Sequence, residues 1–247
     1  MSKPKRLILI LGDQLDLQSA ALQNFNFETD EVIMIESRNE SDYVWSHKAK
    51  IAIFLSAMRH FAEALKAKKI PLTYVKESSL TIEEVLRQQL IEKRVTHLRC
   101  VEPGEWRLKL AIEDLARELN LNLDMLDDDH FYCTNAEFRE WATDKKELRL
   151  EYFYRYMRKK HHVLMDEESQ PIGGQWNFDD RNRKPYSKNG PGFINEPLAF
   201  PVDEITREVL DFVTRQYPTH PGSLAHFVWP GRGSKLWPLW IILLIIA

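Results

Sequence analysis

Five short apolar runs, at residues 7–11, 32–35, 72–75, 97–101 and 123–126, alternate with longer stretches that carry helical spacing. The runs are apolar almost without a break, as strands buried on both faces must be. Between the second and third, Ile51, Leu55, Met58, Ala62 and Leu65 recur every three or four positions. Ile82, Val85, Leu86 and Leu90 repeat that pattern, and so do Leu108, Ala111, Leu115 and Leu119. This order predicts an α/β fold: a five-stranded parallel sheet flanked by helices, joined by right-handed crossovers. Ligands of such sheets bind beyond the carboxyl ends of the strands.

Beyond residue 133 the pattern changes. Residues 135–142, 146–162 and 203–217 read as helices, the last with Ile205, Val209, Phe212 and Val213 on one side. Residues 164–200 form a stretch rich in Gly, Pro and Asn, too long for an ordinary loop and suited to a connector. A net charge of −3 gives no overall pull toward nucleic acid, so any polyanion contact must be a local patch. The two cysteines, Cys100 and Cys133, have no partners at metal-ligand spacing. They read as reduced thiols of a cytoplasmic protein, with no metal site. Residues 1–6 are basic, but the apolar run that follows is too short for a signal peptide. The apolar tail from Leu236 to Ala247 is too short to span a bilayer and holds Pro238, so no membrane association is expected.

Several clusters could carry chemistry. Gly12-Asp13-Gln14 opens the loop after the first strand. Its glycine admits close approach of a ligand, and its carboxylate and amide suit a heteroaromatic ring or ribityl hydroxyls. An Asp-capped turn is the structural alternative. A phosphate loop is not indicated, because one glycine stands alone. Met34, Glu36 and Glu40 lie at and past the end of the second strand, with Tyr43, His47, Lys48, Lys50 and Phe54 at the start of the next helix. Arg155, Arg158 and Lys159 alternate with Tyr152, Phe153, Tyr154 and Tyr156, and Arg183 with Lys184 could extend that patch. Such a mixture suits a phosphate backbone and stacked bases, or equally a helix with one packed and one wet face. Asp127-Asp128-Asp129 reads as a solvated turn. No catalytic triad, zinc motif or kinase signature occurs, and no catalytic residue is assigned.

Five motifs in order resemble one group: Leu11-Gly12-Asp13-Gln14-Leu15, the run from Phe54 to Phe61, Glu102-Pro103-Gly104-Glu105-Trp106-Arg107, Glu151-Tyr152-Phe153-Tyr154-Arg155, and the loop Gly173-Gly174-Gln175-Trp176-Asn177-Phe178-Asp179. The chain resembles the bacterial photolyase-related proteins, the iron–sulfur branch of the cryptochrome/photolyase family, from about Leu7 to Pro230. The resemblance implies a Rossmann-like antenna domain at residues 1–133 that holds 6,7-dimethyl-8-ribityllumazine, and a connector at 134–228. It assigns the antenna contacts to Gly12, Asp13, Gln14, Met34, Glu36, Glu40 and Phe54, and sets the Arg155–Lys159 region near a DNA groove. Full-length relatives repair pyrimidine (6-4) photoproducts in DNA by light-driven electron transfer from FAD, or sense blue light. Their FAD and [4Fe-4S] sites lie in a helical domain that the resemblance does not reach. The expectation is therefore an N-terminal half, inactive alone, that binds only the antenna, and a monomer; the alternatives are a non-catalytic blue-light or lumazine-binding module and an unrelated nucleotide-binding α/β protein.

Residues 229–247 depart from the family pattern. They read as a frameshift just after Pro230: in the restored frame the codons of Trp237-Pro238 and Trp240-Ile241 yield Ala and Asp within an amphipathic helix. Resequencing the gene is expected to find a lost base there; an intact frame with no such helix downstream removes this reading.

Overall fold

The computed structural model describes residues 5–179, 185–186, 188–190, 192–193 and 201–225. The apolar tail, Arg183 and Lys184 lie outside the described residues. The five strands are β1 (Arg6–Leu9), β2 (Asp30–Ser37), β3 (Leu72–Ser78), β4 (His97–Val101) and β5 (Asn122–Leu126). They form one parallel sheet in the order β3-β2-β1-β4-β5. The helices of this region are α1 (Arg38–Tyr43), α2 (Lys48–Ala67), α3 (Ile82–Lys93) and α4 (Trp106–Glu118). The short α1 was not legible in the sequence; it has no buried residue and so no apolar stripe.

Strand parity divides the interior into two cores. Ile8, Ile10, Val32 and Met34 pack with Leu55, Met58, Phe61 and Leu65 of α2. Leu7, Leu9, Ile33 and Ile35 face the other way and pack with Leu86 and Leu90 of α3 and Ile112 and Leu115 of α4. Both faces are thus covered, which is why the strands carry no polar alternation.

One compact unit consists of residues 1–127 with 197–247, the other of 128–196. The connector drawn at 134–228 is therefore divided. Its last helix, α7 (Glu204–Gln216; α5 and α6 follow below), belongs with the sheet because Val209, Phe212 and Val213 complete the α2-side core. Polar ties reinforce this docking. His60 Nε2 lies 2.7 Å from an Asp203 carboxylate oxygen, and Lys48 N donates to Pro221 O at 2.9 Å. The His220 ring bridges Ser46 O and Asp42 at 2.9 and 3.1 Å. Gly222 sits so close to His47 that a Cβ would fall 1.7 Å from its Nε2.

The second unit holds α5 (Asn135–Ala142) and α6 (Leu150–His161). A cluster of partly exposed rings joins them: Phe153 meets Phe138 and Trp141 edge-on at centroid distances of 5.1 and 4.8 Å. Asp128 accepts from the His130 backbone N–H at 3.0 Å, a capped turn.

Cys100 is fully buried on β4; burial, then the carboxylates of Asp124, Glu102 and Glu113, push its thiol up to about 12. Cys133 is only half-buried. At pH 8 a thiol reagent is expected to modify Cys133 alone in the folded protein and both cysteines after denaturation, read by mass spectrometry; rapid native labelling of Cys100 would contradict this packing.

Candidate ligand cleft

The chain runs from β1 to β2 on one side of the sheet and later returns to place β4 on the other side of β1. The loops after β1 and β4 therefore diverge and leave a crevice at a topological switch point. An open cavity of about 430 Å³ lies there. Leu11, Gly12 and Asp13 line it from the first loop, and Pro103, Gly104 and Glu105 from the fourth. Glu36, Ser37, Glu40, Ser41, Tyr43 and Val44 come from the end of β2 and α1, and Lys50, Phe54 and Met58 from α2.

Of the antenna residues assigned from sequence, the structure brings Gly12, Asp13, Glu36, Glu40 and Phe54 to this lining. Gln14 and Met34 are absent from it. Gln14 is buried, and its side-chain amide donates to Glu102 O at 2.9 Å, tying the first loop to the fourth. Met34 has no exposed surface; its parity on β2 turns it into the α2-side core. Both are one step behind the cleft rather than in it.

Glu36 lines the cavity, yet its carboxylate is already fully engaged. Arg59 Nε and Nη2 donate to its two oxygens at 2.9 and 3.0 Å, Tyr74 OH donates to one, and Glu77 N donates to the other at 3.3 Å. Arg59 and Glu36 side chains are 5% and 2% exposed, so the pair is dry as well as bidentate. Burial first, and then the adjacent Glu36 charge, drives the Tyr74 hydroxyl far above its ordinary range, so it remains a donor. Glu77 takes a left-handed backbone (φ 56°) where β3 carries one residue more than β2, and its N–H reaches Glu36 from that bulge.

The rim is a second polar network. Arg107 donates to Glu40 at 2.6 Å and to both Glu105 oxygens at 2.7 and 3.0 Å, and its guanidinium lies 4.6 Å from the Tyr43 ring centroid. Glu105 first, then Glu40, raise the Arg107 pKa further above its already high value, so this group is a permanent cation. Phe54 covers Gly12 so tightly that a Cβ there would lie 2.4 Å from its ring and 2.9 Å from the Met58 sulfur. Arg59, Tyr74, Glu105 and Arg107 were missed as site residues. An arginine on the apolar stripe of α2 was the available signal, since a buried guanidinium demands an acid.

The Arg155–Lys159 patch serves its own unit. Arg158 is buried and donates to Val163 O at 3.0 Å, Tyr154 OH at 3.2 Å and Trp176 O at 3.4 Å, and also to Leu164 O. Arg155 pairs with Glu151 at 2.7 Å. Arg155, Arg158 and Lys159 also stand 5.3, 5.5 and 5.4 Å from the Trp176 ring centroid. Gly173 and Gly174 have positive φ (87° and 73°) and make the bend that delivers Trp176 to these cations. The aromatic-rich loop is thus stapled to α6 by Arg155, Arg158 and Lys159.

The chain matches the deoxyribodipyrimidine photo-lyase-related protein family over residues 8–229. It belongs to that family. It is also 37% identical over 227 residues to a (6-4) photolyase of Agrobacterium fabrum (strain C58 / ATCC 33970), a match covering 90% of this chain and 44% of that protein. The chain thus spans less than half the length of this photolyase relative. Among the described residues no helix is long and apolar enough to cross a membrane.

Removing Arg59 alone strands a buried carboxylate. Arg59→Met is expected to cost roughly 3–5 kcal/mol in urea unfolding, and the Arg59→Met/Glu36→Leu double variant to recover most of that. Additive losses would show that the pair is not coupled.

Proposed function

We propose that this photolyase-related chain is a light-collecting module that holds 6,7-dimethyl-8-ribityllumazine in the cleft between the β1 and β4 loops. The carrying observation is a roomy cavity at the switch point, lined by Gly12, Asp13, Glu40 and Phe54 together. The lining fits such a ligand. Phe54, Tyr43 and Met58 offer flat or soft apolar contact to a bicyclic ring, and Asp13, Ser37, Ser41 and Ser46 offer groups for ribityl hydroxyls. Bound there, the lumazine supplies absorption of near-ultraviolet and blue light. The protein's part is to orient it: Glu36 is locked by Arg59 and so fixes the cleft floor, while the Arg107 network fixes Glu40, Glu105 and Tyr43 at the mouth.

The relative's name supports a (6-4) photolyase setting, in which light-driven, FAD-dependent repair of pyrimidine (6-4) photoproducts in DNA belongs to the longer protein. The donor set here does not fit a [4Fe-4S] cluster: such clusters take four thiolates, and this chain has two cysteines, one of them inside the sheet.

Titrating the purified chain with 6,7-dimethyl-8-ribityllumazine is expected to give saturable, one-to-one quenching of its fluorescence. Phe54→Ala is expected to weaken binding roughly 3–10-fold through loss of ring contact, with a melting temperature near that of the parent. Absence of lumazine binding, or stoichiometric flavin in its place, overturns the assignment.

A further inference from the structure

We infer that residues 38–46, helix α1 with the turn behind it, are a lid over the cleft, and that segment 217–222 is the latch that holds the lid in place. The inference concerns the same cleft as the antenna reading, but it does not depend on which ligand enters. From this stretch Glu40, Ser41, Tyr43, Val44 and Ser46 line the cavity. No α1 residue is buried, and Tyr43, Val44 and Trp45 are 65, 62 and 67% exposed. A helix of six residues has no stability of its own, and this one has no apolar stripe to hold it. Polar bonds at separate points do so instead. Asn39 Nδ2 donates to Ser79 O at 3.0 Å, and Arg107 ties down Glu40 and Tyr43 from α4. Arg38 Nη1 donates to Gln216 at 3.2 Å, while its Nε is buried with no acceptor among the described residues. Opening returns that donor to water, so the shut position is held against a cost.

The latch is built the opposite way. Tyr217 and His220 are buried, and the Tyr217 ring meets those of Phe212 and His220 edge-on at centroid distances of 6.1 and 5.1 Å. Lys48 donates from its backbone N to Pro221 O and from Nζ to Pro218 O at 3.1 Å, and Gly222 leaves no room for a side chain beside His47. Segment 217–222 is thus fixed to the core and to the start of α2. From that footing it reaches the lid in three places. The Tyr217 side chain hydrogen-bonds Ser41. One His220 ring nitrogen lies 3.1 Å from the Asp42 carboxylate and the other 2.9 Å from Ser46 O. The two ends of the lid are equally firm. Ser37 is buried and its hydroxyl donates to Leu80 O at 2.8 Å, while His47 caps α2 by accepting from Ala49 N at 3.0 Å. Between these fixed ends, a stretch with no buried apolar contact opens at far lower cost than the sheet beneath it.

Hydrogen exchange of the full chain, read by mass spectrometry, tests this. Peptides spanning 38–46 are expected to exchange at least about tenfold faster than those spanning β2 or the middle of α2. His220→Phe keeps a buried ring but removes both bonds, and is expected to speed exchange in 38–46 by about tenfold while leaving β1 and β2 unchanged. Asp42→Ala alters an exposed position and is expected to give a smaller increase, roughly threefold, in the same peptides. Saturating 6,7-dimethyl-8-ribityllumazine is expected to slow exchange there. Exchange in 38–46 as slow as in β2, or no increase confined to those peptides in either variant, overturns the inference. Lumazine that binds without slowing that exchange overturns it as well. Lumazine that does not bind overturns the antenna reading alone, and the two variants still decide the lid.

Discussion

The buried Arg59–Glu36 pair is the constraint around which the rest of the sheet domain is arranged. It joins the carboxyl end of β2 to α2, and through Tyr74 and Glu77 it reaches the edge strand β3. Arg59 also lies 5.7 Å from the Phe212 ring centroid, so α7 packs onto the same guanidinium. Two charges at this depth are tolerated because both Glu36 oxygens accept and Arg59 donates from Nε and Nη2. The Glu77 bulge supplies one of those donors, and the Glu36 it holds lines the cleft.

The cleft itself results from topology rather than from any single loop. Successive crossovers move outward from β1 in opposite directions, and the loops after β1 and β4 separate. The opening is then furnished by two kinds of contact. Phe54 rests on a residue with no side chain, which brings an aromatic wall against the main chain. Arg107 binds two carboxylates from different elements and keeps the mouth acidic but ordered. A charged rim held this way contributes little to stability in water.

Much of the fold was legible because burial on both strand faces leaves a plain mark. The run at 97–101 and the helix at 135–142 coincide with β4 and α5, and β1 is offset by one or two residues. The small helix α1 left no mark, since it buries nothing. The division of the connector was hidden for another reason. The apolar stripe of α7 says that it packs somewhere, but not that its partner is α2 rather than α5 or α6. In the cleft, the glycine and the acids could be nominated from their places at strand ends. Whether Glu36 met a ligand or an arginine, and whether Met34 met the cleft or the core, depended on contacts across more than twenty residues of chain.

The sequence by itself determined the layered α/β plan, the family, and the composition of the site, because periodicity and local motifs are properties of neighbouring residues. Only the tertiary structure decided which charges were already satisfied. Arg59 neutralises Glu36, Arg107 binds Glu40 and Glu105 together, and Arg158 turns inward to hold the Trp176 loop. The physical reason is that a side chain's availability is set by the partner folding brings to it, and those partners come from distant elements.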